Sequence, residues 1–116
     1  MEQNIIEIKS FHFAIHIVNL YKYLCAEKKE YVMSKQLLRS GTSIGANVAE
    51  AQQAQSRPDF ISKLSIALKE TTETKYWLRL LKETDYLEES EFNLVFSDCV
   101  ELEKLLVTII RSSKQK

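Results

Sequence analysis

Two histidines and two glutamates are spaced so that each pair shares one face of a helix. His12 and His16 are four residues apart, and Glu70 and Glu73 are three apart. Such pairs could bind a metal ion or supply a carboxylate pair for acid–base chemistry. Di-iron bundle proteins need Glu-x-x-His pairs, and neither histidine follows a glutamate at that spacing. We therefore predict two exposed surface histidines, and an ion-pair network in place of a catalytic carboxylate pair.

Other catalytic patterns are missing from the sequence. It has no glycine-rich phosphate loop and no Cys, His and Asp arrangement of the kind that activates a nucleophile. Cys25 and Cys99 lack the spacing of metal ligands, so we predict two reduced thiols packed in a core. We expect no enzyme activity, no metal, no cofactor and no small-molecule substrate.

The composition favours a single all-α domain. The 116 residues include only two glycines and one proline, and long helices tolerate few residues of either type. Basic and acidic residues number 16 each, so no overall charge attracts the chain to nucleic acid. The N-terminus lacks a signal-peptide pattern, and no stretch approaches the ~20 apolar residues of a membrane span. We predict a cytoplasmic protein without membrane contacts.

Apolar residues recur at helical spacing in four segments. Short connections make neighbouring helices antiparallel, so we predict one domain over residues 1–116 with the fold of an up-down antiparallel four-helix bundle. The predicted helices span residues 4–28, 34–54, 57–82 and 90–112. The predicted core positions are Ile6, Phe13, Ile17, Leu20, Tyr21 and Leu24, then Leu37, Gly41, Ile44, Val48 and Ala51, then Phe60, Leu64, Ala67, Thr71, Thr74, Leu78 and Leu81, and finally Phe92, Val95, Cys99, Leu102, Leu106 and Ile109.

Local signals add detail to the second and third helices. Gly41 and Gly45 lie in phase with the apolar period, so we place them inside the helix, where they let a neighbouring backbone come close. Each glycine costs about 1 kcal/mol relative to alanine, which close packing must offset. Ser56 is the predicted N-cap of the third helix, with Pro58 in its first turn and Asp59 at the capping-box position. The basic tail after residue 110 is predicted to be frayed.

The outward faces of the second and third helices carry residues that a monomer does not need. Small residues lie between Arg39 and Glu50, and Ile66 and Trp77 are predicted to be exposed beside Glu70 and other acidic side chains. One interpretation is a wide bundle core with solvated glutamates. We favour a subunit interface of a symmetric homo-oligomer, in which a neighbour's arginine pairs with the glutamates. The interface candidates are Arg39, Ser43, Asn47, Glu50, Ile66, Glu70, Glu73 and Trp77.

Basic residues recur along the third helix, with Tyr76 among them, and continue in the C-terminal tail. For a neutral monomer this pattern is typical of a solvated charged face. In an oligomer, a small basic patch repeated around a ring becomes a multivalent site for a polyanion. The nucleic-acid-binding candidates are Lys63, Lys69, Lys75, Arg79, Lys82, Arg111 and Lys114.

Three runs resemble motifs of a known family. Residues 36–51 read QLLRSGTSIGANVAEA, residues 56–70 read SRPDFISKLSIALKE, and residues 73–78 read ETKYWL. Over residues 11 to about 110, the chain resembles the four-helix-bundle proteins encoded in intervening sequences of bacterial 23S rRNA genes, also labelled S23 ribosomal protein. Relatives include the accessory variability protein of diversity-generating retroelements, which is strongly basic where this chain is neutral. Positions that fall on the motifs are Arg39, Ser43, Asn47, Glu50, Lys69, Glu70, Glu73, Tyr76 and Trp77.

The resemblance implies a four-helix bundle assembled as a barrel-like homopentamer, and an association with RNA or a nucleoprotein partner. It supplies no catalytic residues. We therefore expect a non-enzymatic oligomer that associates with rRNA or a related transcript. The alternatives are a scaffold that docks a partner protein without nucleic-acid affinity, and a metal-dependent enzyme, which would require bound metal in the purified protein.

Overall fold

The computed structural model describes residues 4–115, which form four α-helices and no strand. These are α1 (Ile5–Ala26), α2 (Met33–Ala51), α3 (Arg57–Glu83) and α4 (Glu89–Lys114). Each helix packs against two others, α1 and α3 both contacting α2 and α4, and within residues 4–115 the backbones of α1 and α3 do not approach each other. Cross-helix pairs run in opposite directions, as Lys9 with Glu101 and His16 with Glu91 show for α1 and α4. The arrangement is that of a four-helix bundle.

The core lies along the centre of the bundle, where the apolar period predicted it. All but four of the predicted core positions are buried, and α2 adds the buried hydroxyls of Ser34 and Ser40. The four exceptions, which are partly buried, are Tyr21, Phe60, Phe92 and Ile109. At the end of α4, Ile110 and not Ile109 is buried, because Ile110 lies four residues after the buried Leu106 and so stays on the core side of the helix.

Several helix ends differ from the prediction. α1 ends at Ala26, and Lys29 then adopts a positive φ of 55°. α2 ends at Ala51 and not at residue 54, because the next three N–H groups bond to carbonyls three residues earlier, which tightens the last turn. α4 continues to Lys114, two residues beyond the predicted end at residue 112. Residues 1–3 and Lys116 of the predicted domain lie outside the described residues.

Both local predictions for α2 and α3 hold. Gly41 and Gly45 lie inside α2, and a Cβ on Gly45 would lie 3.1 Å from the backbone oxygen of Ser10 in α1. Ser56 caps α3 by accepting a hydrogen bond from the N–H of Asp59 at 3.2 Å. The Asp59 carboxylate reaches one residue beyond the usual capping-box partner and accepts from the N–H of Gln55 at 3.4 Å.

The start of α2 is held by a buried acid. The carboxylate of Glu30 accepts hydrogen bonds from the N–H groups of Val32, Met33 and Ser34 at 3.1, 3.0 and 2.7 Å. The hydroxyl of Ser34 donates in return to the Glu30 carbonyl at 2.7 Å. Burial acts to raise the pKa of Glu30, but the three N–H donors and the Ser34 side chain together outweigh it and leave that pKa lowered.

We expect Glu30→Ala to reduce the free energy of unfolding by about 1–2 kcal/mol, since three N–H groups at the start of α2 lose their acceptor. Urea denaturation followed by circular dichroism measures the change. A carboxylate whose folded pKa is lowered stabilises the fold above its unfolded pKa, and this contribution is lost as the pH falls through the folded pKa. Glu30→Gln should therefore flatten the acid limb of the stability profile. An unchanged acid limb would show that the ionised carboxylate is not the cap.

Candidate interaction surfaces

The eight interface candidates lie together on one side of the bundle, where α2 packs beside α3. We call this the α2–α3 face. Two ion pairs cross it, Lys63 with Glu50 at 3.2 Å and Arg39 with Glu73 at 3.9 Å. Beneath it, the buried hydroxyl of Thr74 donates to that of Ser40 at 3.0 Å. The face is therefore held in a fixed register by contacts within one chain, and Arg39 reaches Glu73 without a neighbouring subunit.

Polar residues on the α2 side of this face bond to their own helix. The hydroxyl of Ser43 donates to the carbonyl of Arg39 at 2.6 Å, and the side-chain amide of Asn47 donates to the carbonyl of Ser43 at 2.9 Å. Because both side chains bond to their own helix, they project little from it, and the surface around them is formed by small residues. Such a surface allows another helix to come close.

Trp77 differs from the prediction of an exposed side chain. It is partly buried and packs against the core cluster, and its indole N–H donates to Glu73 at 3.0 Å. Its ring meets that of Tyr76 edge-on, with centroids 5.0 Å apart. On the same side of α3, three turns earlier, Ile66 is exposed, as predicted. Part of the apolar surface of Trp77 is already covered by the core. Only the exposed remainder of the ring is left for contact with a partner.

Glu70 is a carboxylate of the α2–α3 face whose ionised form is disfavoured by its surroundings. Its pKa is raised, first by burial and then by the nearby Glu73 carboxylate, while Arg39 and Lys69 act in the opposite direction. A carboxylate held in this way costs free energy when ionised. A further cation placed beside it would be favourable, which agrees with its assignment as an interface candidate.

Three of the five basic candidates on α3 are engaged within the chain. Lys75 makes two bonds to Glu103 at 2.9 and 3.0 Å, Lys63 pairs with Glu50, and Lys82 lies 4.9 Å from the ring centre of Phe92. Within residues 4–115, no ion pair involves the other two, Lys69 and Arg79. The predicted basic row is therefore divided between the sides of α3 that face α2 and α4.

An exposed aromatic ring accompanies the remaining basic residues. Tyr76 is 56% exposed and lies on the outer side of α3 with exposed Lys69 and Arg79. We call these three residues the outer α3 patch. The exposed Arg111 and Lys114 lie in the last turn of α4, so the seven nucleic-acid candidates do not form one continuous surface.

The prediction of two exposed histidines is confirmed for His12 and wrong for His16. His12 is exposed, and His16 is half-buried with its Nε2 3.4 Å from Glu91. Within the described part of the chain, no group of three or more His, Cys, Asp or Glu side chains could hold a metal ion. Burial raises the pKa of the Cys99 thiol to about 12, with Glu103 adding to the effect. Cys25 is only half-buried, at the end of α1, which corrects its predicted place in the core.

An apolar row on α1 was missed by the sequence analysis. Ile8, Phe11, Ile15 and Val18 point away from the core, with Phe11 64% and Ile15 46% exposed. We call these four residues the α1 stripe. Their alternating spacing of three and four is the repeat of a coiled-coil seam, and that spacing is the signal that could have revealed them.

A groove of about 420 Å³ runs beside the α1 stripe, between α1 and α2. We call it the α1–α2 groove. Phe11 and Ala14 line it from α1, and Gly45, Ala46 and Ala49 line it from α2. These residues are mostly small and apolar, so the groove has room for a larger apolar side chain. None of the four described helices is long and apolar enough to cross a membrane.

Comparison with known proteins places the chain in a family and beside a solved structure. Residues 2–108 match the family described as 23S rRNA-intervening sequence protein. A crystal structure of a protein of unknown function from the S23 ribosomal protein family of Bacteroides thetaiotaomicron VPI-5482 is 58% identical, with a TM-score of 0.91. That match covers 91% of this chain and 98% of that chain. No match was found among curated proteins. Both matches agree with the resemblance seen in the motifs.

Proposed function

Because the chain belongs to the 23S rRNA-intervening sequence protein family, we propose that it is a non-enzymatic homo-oligomer that associates with rRNA or a related transcript. The subunit number that the family resemblance implies is five. An association with rRNA would place the protein in the cytoplasm. The observation that carries the RNA part of the proposal is the outer α3 patch, where Tyr76 is exposed between Lys69 and Arg79.

The chemistry of the outer α3 patch suits single-stranded RNA. An exposed aromatic ring offers a stacking surface to any base, and flanking cations contact the phosphates. Two cations per subunit bind weakly alone, but a ring presents five copies of the patch. Multivalent contact then raises the affinity without any new type of contact. The patch therefore depends on assembly for useful affinity.

Oligomerisation is supported by the α2–α3 face. It combines the exposed Ile66 and half-buried Trp77 with Glu70, whose pKa is raised. Apolar anchors beside a charge that lacks sufficient compensation are typical of a surface that is completed by a partner. A neighbour's cation beside Glu70 would lower that pKa towards its ordinary range.

A protein-interaction scaffold is the second candidate function. It is favoured by the internal ion pairs of Lys63 and Lys75 and by the balanced total charge, which leave few cations for phosphate. In this case the ring would dock a partner protein through its outer wall. Charge reversal of the outer lysines would then abolish capture of that partner and would leave the oligomer intact.

Fluorescence anisotropy with labelled rRNA-derived and unrelated RNA fragments distinguishes the two functions. Phosphate contacts release counterions, so RNA binding must weaken steeply between about 50 and 200 mM salt. We expect salt-sensitive binding by the oligomer. Absence of binding at the lower salt concentration would reject RNA association and would support the scaffold.

Within that assay, we expect Lys69→Ala combined with Arg79→Ala to weaken RNA binding about tenfold or more, because the loss is repeated in every subunit. Tyr76→Ala should weaken binding by a similar factor through lost stacking. The matched control is Lys75→Ala combined with Lys82→Ala, which also removes two cations from α3, both already in contact with side chains of α4. An equal loss in the control would show that binding follows total charge and not the outer α3 patch.

A further inference from the structure

The outer side of α1 carries an apolar surface that nothing in the described chain covers. The α1 stripe and the α1–α2 groove form one continuous surface, because Phe11 belongs to both. The opposite side of α1 is buried in the core, and a helix that is apolar on both sides is typical of one that is covered on both. Contiguous exposed apolar residues mark contact surfaces more often than scattered ones do.

The shape of the groove suits the side chains of another helix. Gly45 lets α1 and α2 approach closely, since a Cβ at this position would lie 3.1 Å from the backbone oxygen of Ser10. Beside it, Ala46 and Ala49 project only a methyl group each, while Phe11 lines the groove from α1. Apolar side chains at successive turns of a third helix can pack into a depression of this kind.

Charged side chains lie at both ends of this surface, and within residues 4–115 none of them forms an ion pair. Glu7 lines the groove at one end. At the other end, Lys22 continues the spacing of the α1 stripe, and Lys35 is exposed in the first turn of α2. The 3.8 Å contact between Cys25 of α1 and Ser34 of α2 places the two lysines at nearly the same level. Glu7 and Lys22 are separated by about 22 Å along α1, from the rise per helical residue.

We propose that this surface binds an amphipathic helix of a partner protein, about four turns long, that is acidic in its first turn and basic in its last. The helix runs antiparallel to α1, with its first turn between Lys22 and Lys35 and its last turn beside Glu7. The opposite direction would place like charges against each other at both ends. The proposal goes beyond RNA association and does not depend on it.

The charge pattern of the partner is the one that helices ordinarily carry. Acidic residues in the first turn and basic residues in the last turn complement the dipole of the helix itself. An ordinary amphipathic helix therefore satisfies both ends of the surface, while its apolar side covers the α1 stripe and fills the groove. Charge selects the direction, and the apolar contact supplies most of the binding free energy.

The contact is small. A helix is about 10 Å across and the surface is about 22 Å long, so each partner buries less than the roughly 800 Å² of a standard interface. Contacts of this size are typical of weak, transient complexes. We expect a dissociation constant in the micromolar range.

Two synthetic peptides of about 16 residues test the proposal on the full chain. Both carry the same leucine face, and one has glutamates in the first turn and lysines in the last. In the second peptide these charges are exchanged. Fluorescence anisotropy of the labelled peptides gives the dissociation constants. We expect the first peptide to bind about tenfold more tightly, because attractions replace repulsions at both ends.

Protein variants separate the contact from the helicity of the peptides, which the exchange also changes. Lys22→Glu combined with Lys35→Glu should weaken the first peptide about tenfold and strengthen the exchanged one. Phe11→Ser should weaken both peptides about tenfold, since the apolar wall is lost. The matched charge control, Lys104→Glu combined with Lys114→Glu on exposed positions of α4, should leave both unchanged. Circular dichroism verifies the fold of each variant.

Each contrary result overturns the proposal. If wild type binds neither peptide, the surface does not dock a helix. If the Lys22 and Lys35 variant binds both peptides as wild type does, the end charges do not recognise the partner. If Phe11→Ser lowers the mass of the protein alone in light scattering, a second copy covers the surface. The RNA assay of the proposed function is independent of all three results, so the two proposals fail separately.

Discussion

Glu70→Lys is expected to convert the oligomer into monomers of 13.5 kDa while the helices remain intact. In the proposed oligomer a neighbour's cation lies beside Glu70, so the substitution places two cations against each other. Like charges opposed across a contact are strongly unfavourable when they are partly desolvated. Within one chain, in contrast, Glu73 lies beside the new lysine and compensates for Arg39 and Lys69, the two cations that also act on this position. The loss should therefore appear in the assembly and not in the fold.

Glu70→Gln separates charge from shape at this position. Because the folded pKa of Glu70 is raised, its ionised form opposes folding as the pH rises through that pKa, and stability is greater when it is protonated. A neutral glutamine should thus leave the monomer at least as stable as wild type at neutral pH. It should weaken assembly less than the lysine does. If light scattering shows one unchanged mass for wild type and Glu70→Lys, Glu70 lies outside the subunit contact.

Trp77→Ala is a less selective test of the same face. The sequence suggested an exposed tryptophan, but the indole packs on the core and donates to Glu73 at 3.0 Å. Truncating a partly buried aromatic residue removes core contacts as well as any contact with a neighbour. A shift to monomer in Trp77→Ala would therefore not distinguish lost core packing from a lost subunit contact.

The apolar period predicted most of the fold because it reflects which side of each helix is buried. The glycines within α2 and the Ser56 cap were also predictable, since both depend on a few neighbouring residues. Helix ends were harder. Lys29 and Asp85 adopt positive φ values of 55° and 69°, although neither is a glycine. Hydrogen bonds from the N–H groups of Asp85 and Tyr86 stop α3, and no residue type marks that stop.

The candidate surfaces could be predicted only in part because they depend on the register between helices. Spacing on α3 shows where Lys63 and Lys75 point, but their carboxylate partners Glu50 and Glu103 come from α2 and α4. The α1 stripe was missed for another reason. When both sides of a helix are apolar, the period of the buried side conceals that of the open side.

The two glycines of α2 determine how closely α1 and α2 approach, which leads to the second large expected effect. A Cβ on Gly41 would lie 2.8 and 2.9 Å from the branch carbons of Ile17, a fully buried residue. Neither contact can be relieved by rotating the end of a flexible chain. We expect Gly41→Val to lower the free energy of unfolding by about 3 kcal/mol, from overpacking alone. Urea denaturation measures it, and Ala46→Gly, at an exposed position of the same helix, should cost only about 1 kcal/mol.

A double-mutant cycle shows whether the contact with Ile17 is the cause. Gly41→Ala gains helix propensity, but its Cβ still meets Ile17, and Ile17→Ala alone should cost about 2–4 kcal/mol by leaving a cavity. In the double variant, the new methyl group fills part of that cavity and the clash is gone. The combined loss should then be at least about 1 kcal/mol smaller than the sum of the single losses. Additive losses would mean that Ile17 yields freely, and that Gly41 does not limit the approach of α1 to α2.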